Sequence, residues 1–185
     1  MKLMIINSPI GSAPTSEPDV TIVTDSSITT HKNPLFVPDA NTEYVFELAP
    51  AVKIFRLGKS IPVKFASRYY DAITLIARVM PVIDGKPVRN GSAIYTAYDS
   101  AIVRGEWIDD LTKQTLEVTL GEQKVEIKIA DLRIDETISM LSKYFSMKIG
   151  DIVSPCYLPL STTPVIDTRI TASLSGCNVI NIKVK

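Results

Sequence analysis

A chain of 185 residues with 45% hydrophobic and 22% charged positions is long enough to bury a real core and unlike a disordered tail. Its 20 basic residues are balanced by 20 acidic ones, so the basic excess that phosphate neutralisation demands is missing, and no stripe of Lys and Arg interleaved with aromatics stands out. No apolar run approaches the roughly 20 residues of a membrane span, and the opening Met-Lys-Leu-Met-Ile-Ile is cut short by Asn7, Ser8 and Pro9, unlike a secretory leader. The expectation is a cytoplasmic protein with no nucleic-acid and no membrane partner. Cys156 and Cys177, far apart and without metal-type spacing, read as two buried thiols in a reducing compartment.

Twelve prolines, many beside apolar runs, argue for strands joined by turns rather than long helices. Residues 1–40 are loop-rich, with short β pieces at Leu3–Ile6 and Val20–Val23. Glu43–Phe55 reads as a strand pair or one long bent strand interrupted near Pro50. Pro62–Tyr70 suits a short helix with Pro62 in its first turn. Ala72–Val82, apolar and β-branched, predicts a buried strand, and Asp84-Gly85-Lys86-Pro87 a turn. Leu116, Val118 and Leu120 alternate strictly, as do Val125, Ile127 and Ile129; Gly121-Glu122 between them predicts a tight hairpin.

Asp135–Met147 carries the best helical pattern, with Ile134, Ile138, Leu141 and Phe145 at helical spacing, Asp135 as cap and Glu136 near the positive end of the dipole. Gly150-Asp151 ends that unit and opens the strand Ile152–Val153. The tail predicts a hairpin of Ile170–Leu174 and Val179–Val184 around Ser175-Gly176-Cys177-Asn178. One helix among many strands makes an α+β fold dominated by β structure.

Three stretches in order carry a family resemblance. Pro34-Leu35-Phe36-Val37-Pro38 followed by Glu43-Tyr44-Val45-Phe46-Glu47-Leu48-Ala49 is similar to a Pro-rich lead-in and a D-Y-E-x-E-L-A strand. Tyr98-Asp99-Ser100 with Gly105-Glu106-Trp107-Ile108 is similar to F-D-T-F-x-x-x-G-P-W-I. The helix from Asp135, running into Met147-Lys148-Ile149-Gly150-Asp151-Ile152-Val153, is similar to a helix followed by L-x-P-G-D-V-I. Together they resemble the fumarylacetoacetate hydrolase family. The resemblance implies a single domain over residues 1–185, with a loop-rich segment to residue 33 and a family-like core over 34–185. It implies a mixed β-sandwich roll with few short helices, and a homodimer.

Active members, as the resemblance implies, hold Mg²⁺ or Ca²⁺ with two Glu and one Asp, the ion acting as a Lewis acid on a dicarbonyl or keto acid. On that pattern the second Glu falls on Glu47, but the first falls on Val45 and the Asp on Thr74. The family's Lys falls on Thr96, and T-G-T-P on Pro155-Cys156-Tyr157-Leu158. Glu47 is then a vestigial ligand and no cofactor is expected, Mg²⁺ or Ca²⁺ entering only if the site is rebuilt. Rebuilding with Glu43 and Glu47 meets a separation of about 13 Å along an ideal strand, and Asp71 lies at the wrong parity to Thr74.

Arg78 matches the family's Arg and suits either a substrate carboxylate or a buried ion pair with Glu47. Asp99 suits a turn or packing better than catalysis, and Trp107 a core or interface anchor. His31, the only histidine, sits beside Lys32 with no adjacent acid to orient it and reads as an exposed loop residue. With one His and no Gly-x-Ser-x-Gly, no Ser-His-Asp or Cys-His scheme is legible. Neither a phosphate loop nor a zinc set is present. The leading expectation is a binding or regulatory relative without the metal chemistry. The alternatives are a hydrolase, decarboxylase or isomerase of a small keto acid, built on Glu47, Arg78 and one of Glu43, Asp71 or Asp99, and a structural partner of an active paralogue.

Overall fold

The computed structural model describes residues 1–185 except Pro14, Ser16, Ala40 and Asp110. Thirteen strands occur among the described residues: β1 (Lys2–Ile6), β2 (Val20–Thr24), β3 (Ile28–Thr30), β4 (Tyr44–Ile54), β5 (Tyr70–Ile83), β6 (Lys86–Pro87), β7 (Ile102–Arg104), β8 (Thr115–Leu120), β9 (Gln123–Lys128), β10 (Ile152–Ser154), β11 (Ser161–Thr162), β12 (Arg169–Leu174) and β13 (Cys177–Lys183). The helices are α1 (Val63–Ala66), α2 (Ala93–Thr96), α3 (Ile129–Leu132) and α4 (Ile134–Tyr144), so three single turns join the one helix that periodicity predicts. The fold is α+β and mostly β.

The larger sheet runs β2-β1-β10-β4-β5-β7-β3, with β11 added to β4 and β6 to β5. It is mixed: β1 lies parallel to β10 and β3 to β7, while β4 and β5 pair antiparallel along nearly their whole length. Its two outermost strands are consecutive in the chain, joined by a single 3₁₀ turn at Asp25–Ser27. Three residues separate Thr24 from Ile28, and the four steps between them span at most about 14 Å. Seven strands laid flat would hold the edges roughly 29 Å apart. The sheet must therefore curl until its edges approach, making a roll.

The roll has two apolar faces. Inward point Leu3, Ile5, Val23, Ala49, Ala51, Ile76, Ile102 and Ile152, all buried. Outward, Phe46, Leu48, Val52, Leu75, Ala77 and Val79 pack against the second sheet, β13-β12-β8-β9, through Leu116, Val118, Leu120, Ile170, Ala172, Leu174, Ile180 and Ile182. Each fully buried aliphatic side chain contributes roughly 1.5–3 kcal/mol of transfer free energy, which is why alternation holds so strictly in β8 and β12.

Local chemistry explains the elements and four departures from expectation. The β8–β9 hairpin closes on Gly121-Glu122, and Asp84-Gly85 turns β5 into β6 with positive φ at both residues. Pro50 does not interrupt β4. The amides of Leu48 and Ile54 point to the β10/β11 side, so by the two-residue period its nitrogen faces the gap between the stretches paired with β10 and β11. The ladder to β5 loses nothing there. Asp135 is not the cap of α4: Arg133 holds that position in the left-handed region, and the Asp135 carboxylate accepts a hydrogen bond from Tyr70. The helix ends at Tyr144 rather than Met147, because Met147 exchanges backbone hydrogen bonds with Gly58. The tail hairpin is tighter than expected, with Cys177 already paired to Leu174 across Ser175-Gly176. Consequently Cys177 is exposed, and Cys156 alone is a buried thiol.

Candidate functional site

Directly opposed residues of an antiparallel pair share a face. The register Val45↔Met80, Glu47↔Arg78, Ala49↔Ile76 and Ala51↔Thr74 therefore puts all eight side chains on the inner face of the roll. Its interior is aliphatic, and polar groups gather at one mouth. There Glu47 is 4% exposed and Arg78 is 2% exposed.

Glu47 and Arg78 face one another, yet the expected ion pair between them is not the main partnership. Arg89 takes both carboxylate oxygens of Glu47, its Nε donating to Oε1 at 3.1 Å and its Nη2 donating to Oε2. The Arg89 guanidinium also lies over the Tyr157 ring, 4.2 Å from its centroid. Arg78 donates instead to Asn7 Oδ1 at 2.7 Å and to the carbonyl oxygen of Arg89. Asn7 in turn donates to Thr21 Oγ1 at 2.9 Å and to Asp19 Oδ1 at 3.1 Å, and the Thr21 hydroxyl donates to the Arg89 carbonyl at 3.1 Å.

Burial pushes the Arg78 guanidinium down to about 10, with the Glu47 charge opposing that shift. The hydrogen bond it donates to Glu47 raises Arg89 above its ordinary range against its own partial burial. Two cations, the Glu47 carboxylate and, through Asn7, that of Asp19 thus meet at the mouth, where Asn7, a doubly used carbonyl and the π face of Tyr157 fill the remaining contacts.

Sequence reasoning missed Arg89. Its signal lay in the Asp84-Gly85 turn, which sends the chain back so that Val88 hydrogen-bonds to Pro81 and the next side chain crosses the inner face to Glu47.

The remaining predicted site residues stand apart. Glu43, Asp71 and Asp99 are exposed, so Glu47 and Arg78 do not converge with a second acid from that set. Val45 is half-buried beside Glu47. Thr74 is fully buried and donates its hydroxyl to the Glu106 carbonyl at 2.6 Å. The Thr96 hydroxyl donates to the carbonyl of Ser92, the residue that precedes α2, at 3.3 Å.

His31 is not an exposed loop residue without an acid: its side chain is 16% exposed and its Nε2 lies 3.4 Å from Glu106 Oε1. That oxygen also pairs with Lys32 at 3.0 Å, and Lys32 holds the Glu106 carboxyl below its usual range. His31 Nδ1 is buried without a hydrogen-bond partner among the described residues. Trp107 is half-buried against the inner apolar cluster with Arg104 over its ring, as an anchor would be.

These residues do not fit a divalent cation. Such an ion needs several oxygen ligands, and among the described residues no three His, Cys, Asp or Glu side chains come together to provide them. On the inner face the neighbours of Glu47 are Val45, Ala49 and the cation Arg78, and a guanidinium already spans both of its oxygens.

No family model and no curated protein sequence matches the chain. Solved structures do. A fumarylacetoacetate hydrolase family protein from Yersinia pestis CO92 superposes with TM-score 0.81 at 16% identity, over 100% of this chain and 92% of that one. The chain has the fumarylacetoacetate hydrolase fold. The fumarylpyruvate hydrolase of Pseudomonas aeruginosa, solved with Mn²⁺ and pyruvate, gives 0.80 at 16% identity, covering 100% of this chain and 89% of that one. The 5-carboxymethyl-2-hydroxymuconate delta-isomerase of Mycobacterium smegmatis gives 0.81 at 17%, covering 99% and 78%. At such identities it is the fold that is shared; hydrolases and isomerases both occur among its bearers.

Proposed function

We propose that this chain is a binding or regulatory relative within the fumarylacetoacetate hydrolase fold and does not perform metal-dependent carbon–carbon hydrolysis. One observation carries the reading: the Arg89 guanidinium is seated on both oxygens of Glu47, the one acidic side chain on the inner face of β4. A tethered cation there neutralises the carboxylate that a divalent ion would use. Val45 and Thr74 add no anionic oxygen, so no metal cofactor is expected. Arg78 spends its terminal nitrogens on Asn7 and the Arg89 carbonyl, which supports a role in holding the mouth together over one in gripping a keto acid.

Isothermal titration with Mn²⁺, Mg²⁺ and Ca²⁺, each with and without pyruvate, tests the proposal. The expected result is no saturable heat at micromolar ion. Micromolar Mn²⁺ binding that vanishes in Glu47→Ala would overturn it.

The same reading makes the protein a cytoplasmic homodimer. Phe36, Val165 and Ile166 are exposed, and their segments flank the end of β13, where Leu35 bridges Val184 and the Asp167 amide donates to the Val184 carbonyl. Lys183 and Asp167 pair at that rim (3.1 Å), so two copies meeting there set opposite charges against each other. Sedimentation velocity should give a dimer for the wild type and a monomer for Val165→Glu; a wild-type monomer at tens of micromolar would count against it.

A further inference from the structure

A different face carries a second surface. The segment after β4 and the turn before β10 lie side by side, Gly58 and Met147 exchanging backbone hydrogen bonds of 3.0 and 2.8 Å, while Lys59 Nζ caps the Tyr144 carbonyl at 2.7 Å. Each segment lifts an aliphatic side chain into solvent: Leu57 is 66% exposed and Ile149 is 71% exposed. Phe55 and Phe65, in the same stretch of chain as Leu57, are also exposed and carry cations on their rings. Arg56 lies 5.6 Å from the Phe55 centroid, and Lys64 and Arg68 each lie 5.0 Å from that of Phe65.

Positive charge predominates here. Residues 55–70 and 137–150 together hold six Lys or Arg and no Asp or Glu, with Asp71, Glu136 and Asp151 just outside these stretches, in a chain whose formal charge is zero. Irregular spacing, with the two segments far apart in the chain, hid this cluster from a search for a basic and aromatic stripe.

We propose that this face docks on an anionic lipid surface. Like charge excludes a second copy of the chain, because a two-fold contact would set this cluster against itself. Nucleic acid would use the rings, but Leu57 and Ile149 have no base to stack on and stand foremost. A peptide docks in a groove or on a sheet edge, whereas these side chains project from two adjoining turns. A fluid bilayer yields to projecting aliphatics, seats aromatic rings at headgroup depth and attracts the Lys and Arg around them. Docking of this kind is peripheral: no helix among the described residues is long and apolar enough to cross a membrane.

The full chain is sedimented with vesicles of phosphatidylcholine alone or of phosphatidylcholine and phosphatidylserine at about 3:1. Binding to the anionic vesicles is expected, at least about tenfold over neutral ones. Arg56→Gln with Lys64→Gln and Arg68→Gln should weaken it by roughly fivefold per charge, and Leu57→Ser with Ile149→Ser by about tenfold. Leu57→Trp should shift its fluorescence to the blue on anionic vesicles. Equal binding to both vesicles, no binding, or retention by oligo-dT or polyglutamate with none by vesicles overturns the proposal. The metal titration is unaffected by any of these results.

Discussion

Replacing Arg89 by Met keeps the stem over Tyr157 and removes the charge that Glu47 is paired with. The Glu47 side chain is 5% exposed and that of Arg89 is 29% exposed. Breaking a buried pair from one side costs about 3–5 kcal/mol when the remaining charge stays dry. Here Arg89 is partly wet, so water reaches the orphaned carboxylate, and Arg78 compensates in part from across the strand pair. The estimate falls to about 2–3 kcal/mol. Glu47→Met should cost less, roughly 1–2 kcal/mol, because Arg89 can swing out to solvent and only Arg78 loses a favourable neighbour. With both replaced, two aliphatic side chains join Val45 and Ala49, and Arg78 keeps its hydrogen bonds to Asn7 and to the backbone carbonyl of residue 89, with Asp19 as its remaining acidic neighbour. The double variant should therefore be more stable than Arg89→Met, with a coupling of at least about 1 kcal/mol in the cycle. Urea unfolding of the four proteins at constant m-value measures it. Strict additivity, or a cost below about 0.5 kcal/mol for Arg89→Met, would show that the pair does not organise the mouth.

Gly105→Ala should lower stability by about 2–3 kcal/mol, because a Cβ there would sit 2.8 Å from the Val179 carbonyl and 3.0 Å from that of Leu75, backbone atoms of β13 and β5 that cannot yield; an unchanged melting temperature would contradict the packing. With a thiol reagent in excess at mildly alkaline pH, Cys177 should react at once and Cys156 only on unfolding, since Cys156 is 4% exposed and burial pushes its thiol up to about 12; two fast equivalents would refute this. The same shift fixes a pH trend. The folded protein keeps a proton that the unfolded chain releases above 9.0, so stability is intact below that pH and falls as pH rises towards the folded value. The loss from Cys156 alone reaches about 1.4 kcal/mol near pH 10. Burial raises Tyr98 and Tyr70 above their ordinary 10.0, which steepens the fall with the same sign. Chemical denaturation across this range should show it, with a shallower slope in Cys156→Ala; a flat profile to pH 10.5 would refute it.

Local pattern carried much of the architecture. Strict alternation in β8 and β9 and the Gly121-Glu122 turn are self-sufficient, since both the buried face and the positive φ are written in neighbouring residues. Glu47 and Arg78 were legible as site candidates from the family-like Glu-Leu-Ala and Ala-Arg stretches. Partner choice was not. Arg89 lies 42 positions from Glu47, and nothing in Val88-Arg89-Asn90 marks it as an inward side chain until the turn is folded. Glu106 reaches His31 only because β3 and β7 pair in parallel, bringing Thr30 level with Arg104. Pro50 misled for a related reason: a proline breaks a ladder only on the side its nitrogen faces, and that side depends on strands 100 residues further along. The cap of α4 failed on register: the helix begins at Ile134, so Asp135 is its second residue and Arg133 holds the cap position, while the Asp135 carboxylate accepts from Tyr70.

An arginine and a metal ion can both neutralise a buried carboxylate, but they leave different chemistry behind. A divalent ion binds through an open shell, and Lewis-acid catalysis depends on sharing that shell between protein oxygens and the substrate. A guanidinium directs fixed N–H donors in one plane. At Arg89 the Nε and one terminal nitrogen are committed to Glu47, one face lies against Tyr157, and the backbone carbonyl is drawn in by Arg78 and Thr21. The charge is balanced without leaving the adjacent positions that two oxygens of a keto acid would need. Tethering adds permanence, for the cation cannot dissociate while the loop after β6 is folded. Among the described residues, the aliphatic side chains of Ile5, Ala49, Ile76 and Ile102 form a buried cluster on the same inner face. On the proposed reading, metal chemistry at this mouth would take more than Val45→Glu: a second carboxylate would join Glu47 while Arg89 still occupied it, and would pair with Arg78 before it met a metal ion.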